Sequence, residues 1–299
     1  MKNKTCFIIV GPTASGKTSA AIQLAKYFNT EIISADSRQC YRELNIGVAK
    51  PSSDELKEVK HYFINSHSIH QEVNAKMFEE YASSYADTIF LKHDIAVMVG
   101  GTGLYVNAFC NGIDEIPVIA EDVKKFITEN FKSSIGWLQD QIEMNDPVYF
   151  QKGEIKNPQR LIRALEVKLS TGKSIIEYQT KQKNIRPFKI IKVGLQLSKE
   201  QLHQNINNRL DKMMDEGLLN EVKNLLPYQN MKALQTVGYK ELFEYFEGKI
   251  ALDKAIENIK TNTRRYAKRQ LTWFKKDKDV NWISVEENES VIGICKQML

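Results

Sequence analysis

Short, largely apolar runs recur along the chain and alternate with segments of helical periodicity. Four such runs are CFIIV at 6–10, EIISA at 31–35, IAVMVG at 95–100 and FKIIKVGLQL at 188–197. Runs of this length, rich in β-branched residues, are typical of parallel strands that are buried on both faces. The segment TSAAIQLAKYF at 18–28 spaces its apolar residues like one face of a helix. The alternation predicts an α/β fold, with a mainly parallel sheet covered by helices on both faces.

The region from about 114 to about 185 has a different character. It contains three helical patterns, punctuated by Pro117, Pro147 and Pro158, and the strand pattern returns only at 188. We therefore predict a helical domain inserted into the sheet domain. The expected boundaries are a first part of the core at 1–113, the insertion at 114–185, and the rest of the core with basic C-terminal helices at 186–299.

The octet GPTASGKT at 11–18 follows the first apolar run and matches the phosphate-binding loop GxxxxGK[ST]. In such a loop, glycines let backbone N–H groups converge on phosphate oxygens, and the helix dipole adds positive potential. A lysine reaches a terminal phosphate and a hydroxyl can ligate Mg²⁺. The expected binding residues are Gly11, Pro12, Thr13, Ala14, Ser15, Gly16, Lys17 and Thr18, with Thr18 as the metal ligand.

The loop predicts a three-layer, P-loop-containing parallel-sheet core and a diphosphate or triphosphate ligand. It does not say to what the phosphates are attached. A chance glycine-rich turn is the alternative, which the strand–loop–helix context at 6–28 disfavours.

Two further strand ends carry candidate chemistry. Asp36 follows the second apolar run, at the edge of the sheet where α/β proteins gather their functional groups, and could act as a general base. Its alternative role is to cap its own loop or to bridge a metal. Thr102 follows the third run in GGTGLY at 100–105, where a purely structural turn is equally compatible with the sequence.

Composition narrows the class of protein. The 299 residues are 42% hydrophobic and 26% charged, as in soluble globular proteins. The four cysteines stand far apart without a CxxC motif, which indicates reduced thiols rather than disulfides or a metal site, and Cys6 and Cys295 lie in apolar runs. No run approaches the ~18 apolar residues that span a bilayer. We expect a cytoplasmic protein without a membrane segment.

The net charge is only +5, but the stretch KTNTRRYAKRQLTWFKKDK at 260–278 contains eight cations and one acid. Tyr266, Trp273 and Phe274 are interleaved with these charges. A basic helix carrying aromatic side chains suits an RNA backbone with unstacked bases. A solvated helix face is the alternative.

Six blocks of the chain resemble, in order, those of the tRNA dimethylallyltransferases, which prenylate an adenosine beside the anticodon. The resemblance covers nearly the whole chain, and Val48 departs from it, since the family commonly has Thr there. The blocks are GPTASGKT, SADSRQCYRELNIGVAKP, VGGTGLY, NPQRLIRALEV, VGYKE and RRYAKRQLTWF.

The resemblance implies that the loop holds the diphosphate of dimethylallyl diphosphate, with Mg²⁺ helping to neutralise the leaving group. Asp36 would accept a proton from the adenine N6 amine, giving N6-isopentenyladenosine. Thr102 would bind near the bridging oxygen of the diphosphate. Arg209 would add a second cation beside Lys17.

The resemblance also implies tRNA contacts and a target base that is extruded from the anticodon loop. The insertion would be a mobile domain that clasps the anticodon stem-loop, and we expect a monomer. The implied tRNA-binding residues are Asp36, Ser37, Arg38, Gln39, Thr102, Lys124, Gln159, Arg160, Leu161, Ile162, Arg163, Gln235, Gly238 and Lys240.

Two other functions remain open from the residues alone. A small-molecule or nucleotide kinase would share the loop, the fold and a nearby aspartate, and Arg160 and Arg163 could serve the γ-phosphate. A non-catalytic RNA-binding protein with a degenerate loop is the second alternative. Four intact candidate residues argue against such decay: Lys17, Thr18, Asp36 and Thr102.

Overall fold

The computed structural model describes residues 4–131, 134–180, 184–284 and 291–299. The chain divides into two compact units. The first comprises Met1–Asn111 and Ile185–Leu299, and the second comprises Gly112–Asn184. Each unit has its own apolar core.

The first unit is built on a sheet of six strands, all parallel in the described residues. The order across the sheet is β3-β2-β4-β1-β5-β6. This confirms the predicted parallel α/β core, although β3 and β6 were not predicted. The strands are β1 Thr5–Val10, β2 Ile32–Ser34, β3 His61–Tyr62, β4 Ile95–Val99, β5 Lys189–Gln196 and β6 Val280–Ser284.

Helices connect and cover the strands. Among the described residues, every helix is too short or too polar to cross a bilayer. The helices are α1 Lys17–Tyr27, α2 Ser53–Glu58, α3 Ala75–Phe90, α4 Gly103–Asn111, α5 Glu121–Asn130, α6 Ile135–Asn145, α7 Pro147–Lys152, α8 Pro158–Thr171, α9 Lys199–Asp215, α10 Leu218–Asn224, α11 Tyr239–Phe246, α12 Leu252–Phe274 and α13 Val291–Gln297, with short 3₁₀ turns at Ile175–Tyr178, Leu226–Tyr228 and Lys232–Leu234.

The sheet separates two apolar layers. Successive side chains of a strand point to opposite faces, so β1 contributes Ile8 to one layer and Phe7 and Ile9 to the other. The first layer is completed by α3, α4, α11 and α12, and the second by α1 and α13. All six residues of β1 are buried, which explains its unbroken apolar sequence.

The carboxyl ends of β1, β2 and β4 lie side by side at one edge of the sheet. Ile9 is in register with Val99, and Val99 with Ser34, so the segments that follow these strands emerge together. Gly100 makes this crowding possible, because a Cβ there would lie 2.2 Å from the carbonyl oxygen of Ala35. The topology thus gathers the phosphate loop, Asp36 and Thr102 at one edge.

The second unit is helical in its described residues. Ile127, Leu138, Ile142 and Leu165 form part of its buried core, on α5, α6 and α8. Helix α8 begins where the side chain of Asn157 accepts N–H bonds from the first turn, with proline at the first helical position. Proline also opens α7, so two of the predicted punctuation points are helix starts.

Candidate active site

The phosphate loop connects β1 to α1, and its glycines allow backbone conformations that other residues rarely adopt. Gly11 has φ +144° and lies so close to β5 that a Cβ would be 2.8 Å from the Leu195 carbonyl oxygen. Gly16 adopts a left-handed conformation, φ +82°, and immediately precedes α1. Ala14 is also left-handed, φ +62°. The loop therefore presents its backbone N–H groups at the start of an eleven-residue helix.

Two cations converge on this loop and are incompletely neutralised. The Lys17 ammonium donates to the Pro12 carbonyl oxygen, and the Arg209 guanidinium donates to the Thr13 hydroxyl at 3.4 Å. Burial and the neighbouring Arg209 lower the pKa of Lys17 to about 7, although Asp36 acts in the opposite direction. Burial also lowers the pKa of Arg209. Such a site has the electrostatics of an anion-binding pocket.

The hydroxyl of Ser15 supports the same interpretation. It is buried and has no hydrogen-bond partner among the residues that the structure describes. A buried polar atom without a partner costs free energy unless a ligand supplies one. Phosphate oxygens would accept a hydrogen bond from this hydroxyl as well as from the loop N–H groups.

Asp36 both caps its loop and lines the cavity beside the loop. Its Oδ1 atom accepts N–H bonds from Arg38 at 2.8 Å and from Gln39 at 3.3 Å. Within the described chain, its side-chain hydrogen bonds use Oδ1 alone, so Oδ2 is available to a substrate. Asp36 therefore does cap its loop, and these bonds fix the carboxylate while leaving Oδ2 available.

Thr102 stands beside Asp36 in the fold. The Ser37 backbone N–H donates to the Thr102 hydroxyl oxygen at 3.1 Å, and that hydroxyl lies 3.4 Å from the Ser37 hydroxyl. The turn after β4 thus positions the loop after β2. The glycine turn is therefore structural, and it also places the Thr102 hydroxyl in hydrogen-bonding contact with Ser37.

One cavity of about 440 Å³ collects many of the sequence-predicted residues of the first unit. Its lining also contains a set of apolar residues, which we call the apolar wall: Val48, Ile206, Leu210, Met213, Leu218, Val237 and Ile259. The predicted residues that line it are Thr13, Lys17, Thr18, Asp36, Ser37, Arg38, Gln39, Arg209, Gln235, Gly238 and Lys240.

Val48 faces this cavity at the position where the resemblance anticipates threonine. The segment around it is held through backbone atoms, because the Gln39 side-chain amide donates to the carbonyls of Val48 and Ala49 at 3.3 and 3.0 Å. These bonds do not require a hydroxyl at position 48. The substitution changes the polarity of the wall and leaves these hydrogen bonds available.

The predicted tRNA contacts of the second unit differ in accessibility. Gln159 and Arg160 are exposed, Ile162 is half-buried, and Arg163 pairs with Glu166 at 3.4 Å. Lys124 is partly exposed and pairs with Glu121 at 3.0 Å. Leu161 requires a correction, because its side chain is fully buried in the apolar core of the unit and is not available to RNA.

The basic stretch after residue 260 lies mainly on α12, and its residues divide between two faces. Arg264 donates to Asn207 at 2.9 Å, Lys260 pairs with Asp211 at 2.9 Å, and Phe274 is buried in the core. Other members lie on an exposed face that includes a shallow depression. That face consists of Arg265, Lys268, Arg269, Thr272, Trp273 and Lys276.

Two functional candidates were missed by the sequence reasoning. Gln270 hydrogen-bonds to the phosphate loop, and its only sequence signal was its presence in the block RRYAKRQLTWF. Glu221 accepts N–H bonds from Asn45, Ile46 and Gly47 at 3.2, 2.7 and 3.0 Å. It also accepts the Tyr239 hydroxyl at 2.6 Å. Both depend on contacts far apart in the sequence.

Known proteins of one family are similar to this chain. A family model described as IPP transferase matches residues 39–277. The tRNA dimethylallyltransferase of Christiangramia forsetii is 45% identical, over 95% of this chain and 94% of that protein. The tRNA dimethylallyltransferase 1 of Bacteroides thetaiotaomicron is 40% identical, over 96% of this chain and 94% of that protein.

Solved structures are similar over almost the whole chain. A tRNA delta(2)-isopentenylpyrophosphate transferase from Staphylococcus epidermidis is 33% identical, covers 99% of both chains and has a TM-score of 0.71. A eukaryotic dimethylallyltransferase acting on tRNA has a TM-score of 0.80 at 25% identity, over 99% of this chain and 78% of that chain.

These relatives carry transferase names, and the kinase alternative is not supported. The matched segment begins at Gln39, inside the loop after β2, and extends past α12, so it includes Arg209 and the basic face. The chain belongs to the IPP transferase family.

Proposed function

We propose that this protein transfers the dimethylallyl group of dimethylallyl diphosphate to N6 of the adenosine beside the anticodon of tRNA. The observation that carries the proposal is the composition of the cavity beside the phosphate loop. It has an anion-binding end at Lys17 and Arg209, an apolar wall for a prenyl chain, and the Asp36 carboxylate in the same lining. Family membership supplies the class of reaction.

The leaving group would be stabilised by the phosphate loop. Departure of diphosphate from an allylic carbon concentrates negative charge on the phosphate oxygens. The loop N–H groups, the dipole of α1 and the two cations face that charge without reorganising. Binding of the diphosphate raises the pKa of Lys17 again, because a nearby anion favours the ammonium.

The reaction needs a good leaving group on the donor, and it also needs a base for the acceptor nitrogen. The N6 lone pair is delocalised into the adenine ring, so the amine attacks efficiently only as it loses a proton. Asp36 would take that proton on Oδ2, while the bonds from Arg38 and Gln39 hold Oδ1. Thr102, bonded to Ser37, would keep this loop in place and offer its hydroxyl to the diphosphate.

A magnesium ion is consistent with the residues at the loop. No group of three His, Cys, Asp or Glu side chains in the described ranges could hold a metal alone. Mg²⁺ commonly uses one or two protein ligands together with substrate phosphates. Thr18, which lines the cavity beside Lys17, would supply the protein oxygen. When bound, the ion would add charge neutralisation to the diphosphate.

The tRNA would approach over the basic face of α12 and contact the cavity rim at Arg38, Gln235 and Lys240. The target base must leave its stack to reach Asp36, at a cost of a few kcal/mol that contacts in the pocket recover. On the helical unit, we propose Lys124, Gln159, Arg160 and Arg163 as further contacts. The mobility of that unit, the monomeric state and the cytoplasmic location remain predictions.

The first test is the choice of donor. Purified protein incubated with labelled dimethylallyl diphosphate and tRNA should transfer label to an adenosine, which nucleoside mass spectrometry identifies. The contrasting reaction is ATP with candidate small acceptors. Consumption of ATP without prenyl transfer would overturn the proposal.

The second prediction concerns Asp36→Asn. We expect kcat to fall about 10²–10⁴-fold, the range for loss of a general base, while tRNA affinity stays largely intact. Asp54→Asn, on the exposed helix α2, is the matched control and should leave turnover unchanged. Wild-type turnover by Asp36→Asn would exclude this residue as the base.

The third prediction concerns pH and Lys17. The protonated ammonium binds diphosphate, and the free protein loses that proton near pH 7 because burial and Arg209 lower the pKa to about 7. Affinity for inorganic pyrophosphate should therefore fall as pH rises above about 7, by up to about tenfold per pH unit. Isothermal titration calorimetry measures this dependence.

Pyrophosphate itself titrates in this range, so Lys17→Arg is the reference. Its guanidinium stays protonated, and the ratio of wild-type to variant affinity isolates Lys17. Parallel pH profiles for the two proteins would show that Lys17 is already fully charged in the free site.

The fourth prediction concerns the exposed face of α12. Replacing Arg265, Lys268 and Lys276 by alanine should weaken tRNA binding and reduce its salt dependence. The log–log slope should fall by roughly 0.7–0.9 for each phosphate that the protein no longer neutralises. Lys57→Ala and Lys254→Ala serve as controls, since both cations are exposed outside this face. An unchanged slope would assign the face to packing or solvation.

A further inference from the structure

Gln270 closes one side of the phosphate loop from a distant helix. Its side-chain oxygen accepts the Thr13 backbone N–H at 2.8 Å, and its side-chain nitrogen donates to the Gly101 carbonyl oxygen at 2.9 Å. The residue lies on α12 and is only 6% exposed. A single amide therefore bridges the loop after β1 and the turn after β4.

The fit of this amide is tight. A Cβ at position 101 would lie 2.1 Å from the Gln270 nitrogen, so glycine is required for the amide to rest against the strand end. Thr13 is held from a second direction, because its hydroxyl accepts a bond from Arg209 at 3.4 Å. The Asn205 side chain also fixes the loop by donating to the Ala14 carbonyl at 3.2 Å.

Loops that bind nucleoside triphosphates use the space between the loop and the neighbouring strand end differently. Their lysine extends to the third phosphate, and an acidic residue from a nearby strand helps to hold the metal ion. Here the turn after β4 reads Gly100, Gly101, Thr102 and carries no carboxylate. The buried amide of Gln270 spans the gap instead, and its oxygen occupies the Thr13 N–H.

We propose that Gln270 sets the length of the phosphate chain that the loop accepts, admitting a diphosphate and excluding a third phosphate. It is a specificity-determining residue that acts by filling space and by occupying a backbone donor. The inference rests on the proposed function, in which the loop binds a diphosphate. It explains how a loop of nucleotide-binding sequence can serve a prenyl donor.

The test compares inorganic pyrophosphate with inorganic tripolyphosphate. Their dissociation constants are measured by calorimetry for the wild type and for Gln270→Ala at the same pH and magnesium concentration. The wild type should bind pyrophosphate at least about tenfold more tightly than tripolyphosphate. In the variant, this ratio of dissociation constants should be about tenfold smaller. Because the preference is a ratio within one protein, a general loss of affinity cancels.

Two further variants control for structural effects. Gln151→Ala, the same substitution at an exposed glutamine of α7, should keep the wild-type ratio. Gln270→Asn retains an amide that is too short to span both partners, and it should give an intermediate ratio; it also serves if Gln270→Ala does not fold. Equal ratios in wild type and Gln270 variants would overturn the inference. Failure of the wild type to bind pyrophosphate would instead overturn the proposed function.

Discussion

The buried positive charge at the end of β1 is the constraint on which the rest of the site depends. Burial removes much of the hydration of Lys17 and Arg209, and Arg209 adds a like charge beside Lys17. Asp36 offsets only part of this cost. An anionic ligand would remove the remainder, so the free energy that destabilises the empty site becomes binding energy for a diphosphate.

The same electrostatic arrangement links the two halves of the proposed reaction. Burial lowers the pKa of both Lys17 and Arg209 and Asp36 partly counteracts it, which means that the carboxylate lies within the field of the cations. When a diphosphate occupies the loop, its negative charge repels any second anion nearby. In the proposed reaction, the group that accepts the proton and the groups that face the leaving group therefore belong to one cluster. One charge cluster can thus serve both the donor and the acceptor.

Local sequence patterns predicted the parts of the structure that are themselves local. The run at 6–10, the octet at 11–18 and the following helix are contiguous, and Asp36 and Thr102 directly follow buried strands. By contrast, β3 has only two residues and β6 is a short segment with polar positions, so neither forms a distinct apolar run. Leu161 was misassigned because a matching block does not reveal which of its residues face inward. The long-range polar contacts of Glu221 could not be predicted for a related reason. Nothing in the sequence of its helix distinguishes Glu221 from other glutamates.

The apolar wall and the anion-binding end of the cavity are fixed by different interactions. The Glu221 carboxylate holds three successive N–H groups of residues 45–47 and the hydroxyl of the fully buried Tyr239, and so ties together the segments that carry Val48 and Val237. Gln270, Asn205 and Arg209 instead hold the phosphate loop. Because the two sets share no hydrogen bond among the described residues, a change in the wall, such as valine at position 48, need not disturb the phosphate site. Under the proposed function, the prenyl chain or base that the cavity accepts can therefore vary while the loop continues to recognise the same leaving group.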